Sequence, residues 1–505
     1  MRYLNTLLLT ILAAFAPIYL EAQETGNRAS GLELNIEASG TVASGDYAPL
    51  WLSSNKYGLS SIESSSNYER LSVIRTIDND SLRTWRLGYG ADVAVAFNAA
   101  RTLVVQQAFA EVGWKKAQLT IGAKEQPIML KNRWLTSGAL LLGTNARPIP
   151  QARLDIDYFN FPGCKGWWKW KLWGSYGKTM DGSWQRSYVE DAQTRYTGNV
   201  LYHEKALYWQ FGKKDCCVPL TFDIALQLAT EFGGKTYNTA NTPGLDEKHP
   251  SNFKAYMNAL LCSGSDTRDG AYANTEGNHV GSYNMALTWH GEGWKVKGYF
   301  ERLFEDQSMM TVQYGIDDHL VGVEAQLPRN PFVSSLAVEH LSTRIQSGAV
   351  YHDVATNLPD AMNGRDEYYN HHIYSGWQHF GYNMGTPLLT SPIYNSKQTG
   401  WDKRMGDLYC YNNRVRAWHL ALAGDPTDEI NYRVLLSFTR NWGTYTYPLQ
   451  DKTKQQYLLA EVGYAPERWN KTWNFTLGLA YDNGKLLGNS FGSQLTVRKT
   501  INLCK

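Results

Sequence analysis

The sequence predicts a large antiparallel β-barrel that spans a membrane. Three observations point to it: a hydrophobic period of two along most of the chain, an aromatic content of 13% alongside 44 glycines, and compact turns that alternate with long polar stretches. In residues 430–439, Ile430, Tyr432, Val434, Leu436 and Phe438 share one face, and Asn431, Arg433, Leu435, Ser437 and Thr439 the other. Residues 473–481 repeat this with Trp473, Phe475, Leu477, Leu479 and Tyr481 against Asn474, Thr476, Gly478 and Ala480. Residues 220–229, 283–290, 32–37 and 491–503 follow the same rule. One apolar face opposite a small or polar one is the mark of a strand.

Alternation fits a soluble sandwich and a membrane barrel equally, because only the direction of the apolar face differs. Two further features favour the barrel. Aromatic residues cluster at strand ends, as interfacial girdles do (Tyr432 and Phe438, Trp473 and Tyr481). Compact turns at 424–428, 328–331 and 465–468 contrast with the polar stretch 347–414, the asymmetry by which outer-membrane barrels are built.

Length and composition agree. At 505 residues the chain is long for one small domain, yet a single large barrel absorbs it. Lys+Arg 49 against Asp+Glu 47 argues against a nucleic-acid footprint. A mean hydropathy of −0.42 argues against a bundle of membrane helices. Residues 1–22 read as a secretory signal peptide: Met1 and Arg2, an apolar run at 7–19, then Ala22 before Gln23. The barrel is expected over 23–505.

Residues 251–262 depart from the period of two. Phe253, Tyr256, Met257, Leu260 and Leu261 recur at helical spacing, with Ser251 or Asn252 as N-cap. This predicts a short amphipathic helix on the periplasmic side or in the lumen. The six cysteines, at 164, 216, 217, 262, 410 and 504, lack metal-ligand spacing and yield no readable disulfide pattern.

Catalytic motifs are absent: no nucleophile elbow, P-loop, HExxH or EF-hand spacing. The acid pairs Glu305-Asp306 and Asp317-Asp318 are the candidates for glycoside hydrolysis, which needs two carboxylates. Adjacent His371 and His372 would point to opposite faces of a strand, a weak metal site. No cofactor or metal is expected.

The densest polar-aromatic stretch, residues 363–392, holds Arg365, Asp366, Tyr368, Tyr369, Trp377, His379 and Tyr382. Flat rings stack on sugar faces, and cations and amides serve hydroxyls and carboxylates. These residues, with Arg147, are the candidate carbohydrate contacts. Packing of the stretch onto the barrel rim is the alternative role, and for Arg147, held among Pro148 and Pro150, a structural hydrogen-bonding role is the alternative.

Four stretches resemble the Wzi family of outer-membrane capsule-assembly proteins. They are Ala48-Pro-Leu-Trp-Leu-Ser-Ser-Asn-Lys-Tyr-Gly58, Gly143-Thr-Asn-Ala-Arg-Pro-Ile-Pro150, Phe304-Glu-Asp-Gln-Ser-Met309, and Tyr368-Tyr-Asn370 through Gly376-Trp377 to Gly385-Thr-Pro-Leu388. The resemblance implies a monomeric outer-membrane barrel of about eighteen strands with short helical elements near the periplasmic side. It implies a non-enzymatic lectin that holds capsular polysaccharide at the surface of a Gram-negative cell, with outer-membrane lipid and polysaccharide-export machinery as partners and no nucleic acid. A chain of about 483 residues after cleavage suffices for about eighteen strands of about ten residues with long loops. A sugar porin and a surface glycoside hydrolase are the competing functions.

Overall fold

The computed structural model describes residues 31–80, 83–264, 277–305, 316–346, 366–398 and 406–503. The expected signal peptide, Arg365, Asp306 and Cys504 lie outside them. Eighteen strands form one antiparallel sheet: β1 Leu32–Tyr47, β2 Glu63–Arg75, β3 Trp85–Phe97, β4 Leu103–Trp114, β5 Ala117–Ala123, β6 Gln151–Asn160, β7 Trp168–Lys178, β8 Leu201–Lys213, β9 Leu220–Phe232, β10 Asn278–His290, β11 Lys295–Phe304, β12 His319–Gln326, β13 Ser335–Ser342, β14 Val415–Gly424, β15 Ile430–Gly443, β16 Pro448–Tyr464, β17 Trp473–Gly484 and β18 Ser490–Asn502. Each pairs with the next, and β1 pairs with β18 from Glu33↔Asn502 to Ala43↔Gly492. The sheet is closed and leaves no edge, which a bilayer requires of a β structure.

The alternation resolves as outward apolar and inward polar. Val93, Val95, Leu119, Ile121, Leu287, Val323, Leu420, Leu477 and Leu479 are exposed on the outer wall. Their inward neighbours Asp92, Thr120, Thr288, Glu324, His419, Gly478 and Ala480 are buried. An exterior of this kind has a partner only in hydrocarbon. Trp85, Trp114, Trp289 and Trp469 are exposed near the short-turn end, and Phe97, Trp418, Phe438 and Tyr481 toward the other end, the two aromatic girdles.

Connections alternate strictly in side. Short turns at 76–84, 115–116, 161–167, 214–219, 291–294, 327–334, 425–429 and 465–472 mark one end. The other end carries every long connection: 48–62, 124–150, 179–200, 233–277, 305–318 and 343–414. The expected turns therefore fall together on one side and the expected long stretch on the other.

Among the described residues, three α-helices lie on the long connections: α1 Leu50–Ser53, α2 Gly182–Tyr188 and α3 Phe253–Leu261. The short-turn end carries 3₁₀ turns at Ile77–Asp80 and Glu467–Trp469. α1 is fully buried in the lumen, where the Leu50 N–H donates to Asp482 of β17 at 2.8 Å. α3 forms where its periodicity predicts, with the Asn252 side chain accepting from the Ala255 N–H. It is neither at the short-turn end nor in the lumen. Ala255 and Ala259 pack on Phe232, Leu201 and Tyr176, and the Lys205 ammonium, on the outward row of β8, donates to the Leu260 carbonyl. The helix thus leans on the outer wall near the long-connection rim. Gly233 and Gly234, at φ 62° and 75°, let the chain reverse over that rim; these values favour glycine.

Candidate functional site

Three of the long connections pack into the lumen as a plug. Segments 48–62, 124–150 and 366–398 converge inside the barrel and share one apolar core, including Trp51, Leu140, Leu141, Tyr368, Tyr369, Trp377 and Leu389. Described residues of all four family-like stretches, dispersed in sequence, meet here, the third through Phe304 and Glu305. The Tyr57 N–H donates to the Thr144 carbonyl at 2.6 Å and the Gly143 N–H to the Met384 carbonyl at 2.8 Å. The Asn145 amide donates to the Asn383 carbonyl at 3.0 Å, and the Tyr369 N–H to Glu305 at 2.7 Å. Gly385 has no room for a side chain: a Cβ there would lie 1.8 Å from the Tyr369 hydroxyl oxygen.

A series of lumen-facing acids fastens this plug to the wall. Glu301 of β11 accepts the Leu140 and Leu141 N–H groups at 2.9 and 3.1 Å and pairs with Lys131. Glu324 of β12 accepts the Asn132 N–H at 2.9 Å and pairs with Lys297 at 2.7 Å. Glu339 of β13 accepts the Ser137 N–H at 2.8 Å and the Thr136 and Tyr299 hydroxyls at 2.6 Å each. His419 of β14 meets the Leu135 carbonyl at 2.8 Å. Irregular backbone at membrane depth must find its partners inside the protein, and these side chains supply them. Alternation placed the acids on the inner face, but nothing in their spacing marked them as fasteners.

The candidate contacts divide accordingly. Tyr368, Tyr369, Trp377, His379, Tyr382 and Arg147 are all buried within the plug. The Trp377 indole donates to the Leu141 carbonyl at 2.8 Å, the Tyr382 hydroxyl to the Ser60 carbonyl at 2.9 Å, and the Tyr369 hydroxyl to the Leu140 carbonyl. Arg147 stacks on Phe380 at 4.1 Å, and burial pushes its guanidinium down to about 10. Asp366 is half-buried. The side chains of Tyr368, Tyr369, Trp377, His379, Tyr382 and Arg147 pack inside the plug, neither on an open surface nor on the barrel rim.

Of the described acids of the two pairs, Glu305 and Asp318 are built into the plug, whereas Asp317 is exposed. Asp318 is buried, accepts the Ile345 N–H at 3.0 Å and the Tyr368 hydroxyl at 3.2 Å, and is pushed up to about 6 by burial. Glu305 holds Tyr369. His371 turns its Nδ1 to the Ile373 and Tyr374 N–H groups, closing a turn.

His379 donates from Nδ1 to the Arg147 carbonyl at 2.8 Å, and its Nε2 accepts the Met180 N–H at 3.2 Å. The bond accepted by Nε2 needs a neutral ring, since both nitrogens of a protonated imidazole are donors. Burial, outweighing the nearby Asp181 carboxylate, lowers its pKa from 6.5. The native state then binds fewer protons here than the unfolded chain, so the stabilisation is complete above pH 6.5 and is lost as pH falls below it. The unfolding temperature is expected to drop more steeply between pH 7 and 5 in the wild type than in His379→Gln. Band-shift on unheated gels reads this, and parallel curves would refute it.

Above the plug, three short strands, Tyr196–Gly198, Lys235–Tyr237 and Glu247–Lys248, pair into a small sheet. It packs on the plug segment through the Thr236 hydroxyl and the Ile373 carbonyl at 3.2 Å. Its Tyr196 and Tyr237 rings stack at 4.6 Å with an interplanar angle of 7° and stay half-exposed. The Lys235 ammonium sits 4.4 Å from the Tyr237 ring centre and 2.8 Å from Asp246. Lone tyrosines in two separate loops gave no sequence signal; pairing of the strands makes them a platform.

No protein-family model matches the chain, and no curated protein matches it. The fold is similar to that of Wzi from Escherichia coli, described as an outer-membrane protein involved in group 1 capsule assembly and a carbohydrate-binding β-barrel. Identity is 12%, coverage 94% of this chain and 85% of that one, and the TM-score 0.53. Two other solved barrels are OccK5 of Pseudomonas aeruginosa, at 9% identity, coverage of 93% and 98% and a TM-score of 0.45, and OccAB4 of Acinetobacter baumannii, at 10%, 94% and 100%, and 0.44. The chain has the fold of outer-membrane β-barrels.

Proposed function

We propose that this chain is a plugged, non-enzymatic lectin of the Gram-negative outer membrane, exported by its signal peptide, that holds capsular or other surface polysaccharide at the long-connection mouth. The mouth carries the reading: a lumen closed by a packed plug, with a stacked aromatic pair and a cation presented above it. A stacked ring pair beside a lysine suits an acidic sugar chain, since rings take the apolar sugar faces and the ammonium takes carboxylates. Short turns face the periplasm in such barrels, so the platform faces outward. Wzi, with the same fold, is described as carbohydrate-binding. Tyr196, Tyr237 and Lys235 are the proposed contacts, joined by Arg365 and Asp366; the buried Tyr368, Tyr369, Trp377, His379, Tyr382 and Arg147 support them from below. The protein acts as a monomer beside the polysaccharide-export machinery.

A diffusion channel needs an open lumen, and the packed core weighs against one. A hydrolase needs two free carboxylates facing one site, whereas Glu305 and Asp318 are held by the plug and of the described pair members only Asp317 is exposed. The test is a clean deletion complemented with wild type or with Tyr196→Ala/Tyr237→Ala. The deletion should shed polysaccharide into the medium with synthesis unchanged. The variant should bind purified polysaccharide about tenfold more weakly, the equivalent of about 1.4 kcal/mol for a lost aromatic platform. Full surface retention in the deletion strain would overturn the function, and unchanged binding would overturn the platform.

A further inference from the structure

The outer wall carries charge where a membrane barrel would ordinarily carry none. Near the long-connection end, Arg416 of β14 lies directly opposite Arg440 of β15, and Arg440 directly opposite Lys454 of β16. All three are exposed and share the outward parity of Trp418, Phe438 and Leu458. Among the described residues none of them forms an ion pair. Lys452, two residues before Lys454, and Lys485, whose N–H donates to the Lys454 carbonyl at 3.2 Å, extend the patch. Like charges directly across a strand pair repel, and no acid of the wall relieves them.

The rows beneath change in register. One outward step down, Trp418 faces Phe438 and Phe438 faces Gln456. One step further, Leu420 faces Leu436 and Leu436 faces Leu458. Each step is about 6.6 Å and adjacent strands are about 4.8 Å apart, so three cations span about 10 Å above an aromatic row and an aliphatic row. A ligand complementary to all three rows carries anionic groups above and acyl chains below.

We propose that this face binds a phosphorylated glycolipid of the outer leaflet, its phosphates bridging Arg416, Arg440 and Lys454 and its acyl chains lying on Trp418, Phe438, Leu420 and Leu458. Arginine pairs suit phosphate because the planar guanidinium donates in parallel. The site is on the opposite side of the wall from the glycan platform and stands apart from the lectin reading.

The test uses the full-length protein in a nonionic detergent and follows its unfolding temperature as diphosphorylated lipid A is added. A rise of about 3 °C at saturation is expected. It should be lost in Arg416→Gln/Arg440→Gln/Lys454→Gln and kept in part in Arg416→Lys/Arg440→Lys, which retains the charge without the guanidinium fork. All these positions are exposed, so the variants should give the wild-type gel shift without lipid. Dephosphorylated lipid A should have no more than a third of the effect. Equal shifts with the dephosphorylated lipid, with inorganic phosphate alone, or in the triple variant would each overturn the proposal.

Discussion

Glu339→Ala is expected to loosen the plug and open the barrel. The carboxylate accepts from the Ser137 N–H and from the Thr136, Ser137 and Tyr299 hydroxyls, and it is 1% exposed. Alanine would leave the Ser137 N–H and the Ser137 and Tyr299 hydroxyls without that acceptor, while the Thr136 hydroxyl keeps the Gly138 carbonyl at 2.9 Å, at about 1–3 kcal/mol for each donor that water cannot reach. A loss of about 3–5 kcal/mol follows, because partial rearrangement recovers some of them. The strand ladder on either side involves backbone only, so the wall should persist while the plug moves. Two measurements check this: the temperature at which the unheated-gel band shifts should fall, and single-molecule bilayer recordings should show ion conductance absent from the wild type. A variant as silent and as heat-resistant as the wild type would mean that Glu339 does not fasten the plug.

Trp377→Ala is expected to cost about 3–5 kcal/mol, the usual range for an aromatic residue removed from a packed core. The ring is fully buried, its indole N–H is satisfied by Leu141, and Tyr202 of β8 approaches it at 6.1 Å between ring centres. The substitution removes packing and leaves the Leu141 carbonyl unpaired. Trp377→Phe keeps most of the volume and should recover more than half of the loss, again read from the gel shift. If Ala and Phe behaved alike, the hydrogen bond rather than packing would be the dominant contribution. If glycan binding fell as strongly as stability in Trp377→Phe, the ring would belong to the binding surface after all.

These two positions show what was legible beforehand. Trp377 stands in an aromatic, loop-like neighbourhood, and that composition suits a sugar platform and a plug equally. Aromatic rings with polar tips can be buried when their donors find carbonyls, as those of Tyr369, Trp377 and Tyr382 do. Glu339 carried no local signal, since an acid on a strand's polar face reads as solvated until a second segment comes within hydrogen-bonding distance. The Tyr196–Tyr237 ring pair carries no local signal for a related reason: the two residues are 41 positions apart along the chain and meet only through pairing of their short strands.

Local pattern determined the strands, the direction of alternation once closure is granted, the side on which turns and loops fall, and helix α3. Those features depend on residues a few positions apart, whose side-chain directions follow from backbone geometry alone. The tertiary structure decided what fills the lumen, which acids fasten it, where α3 rests, and which rings and cations remain outside. These depend on segments far apart in sequence meeting inside a closed wall, where each buried polar group must find a partner and no water can stand in for one.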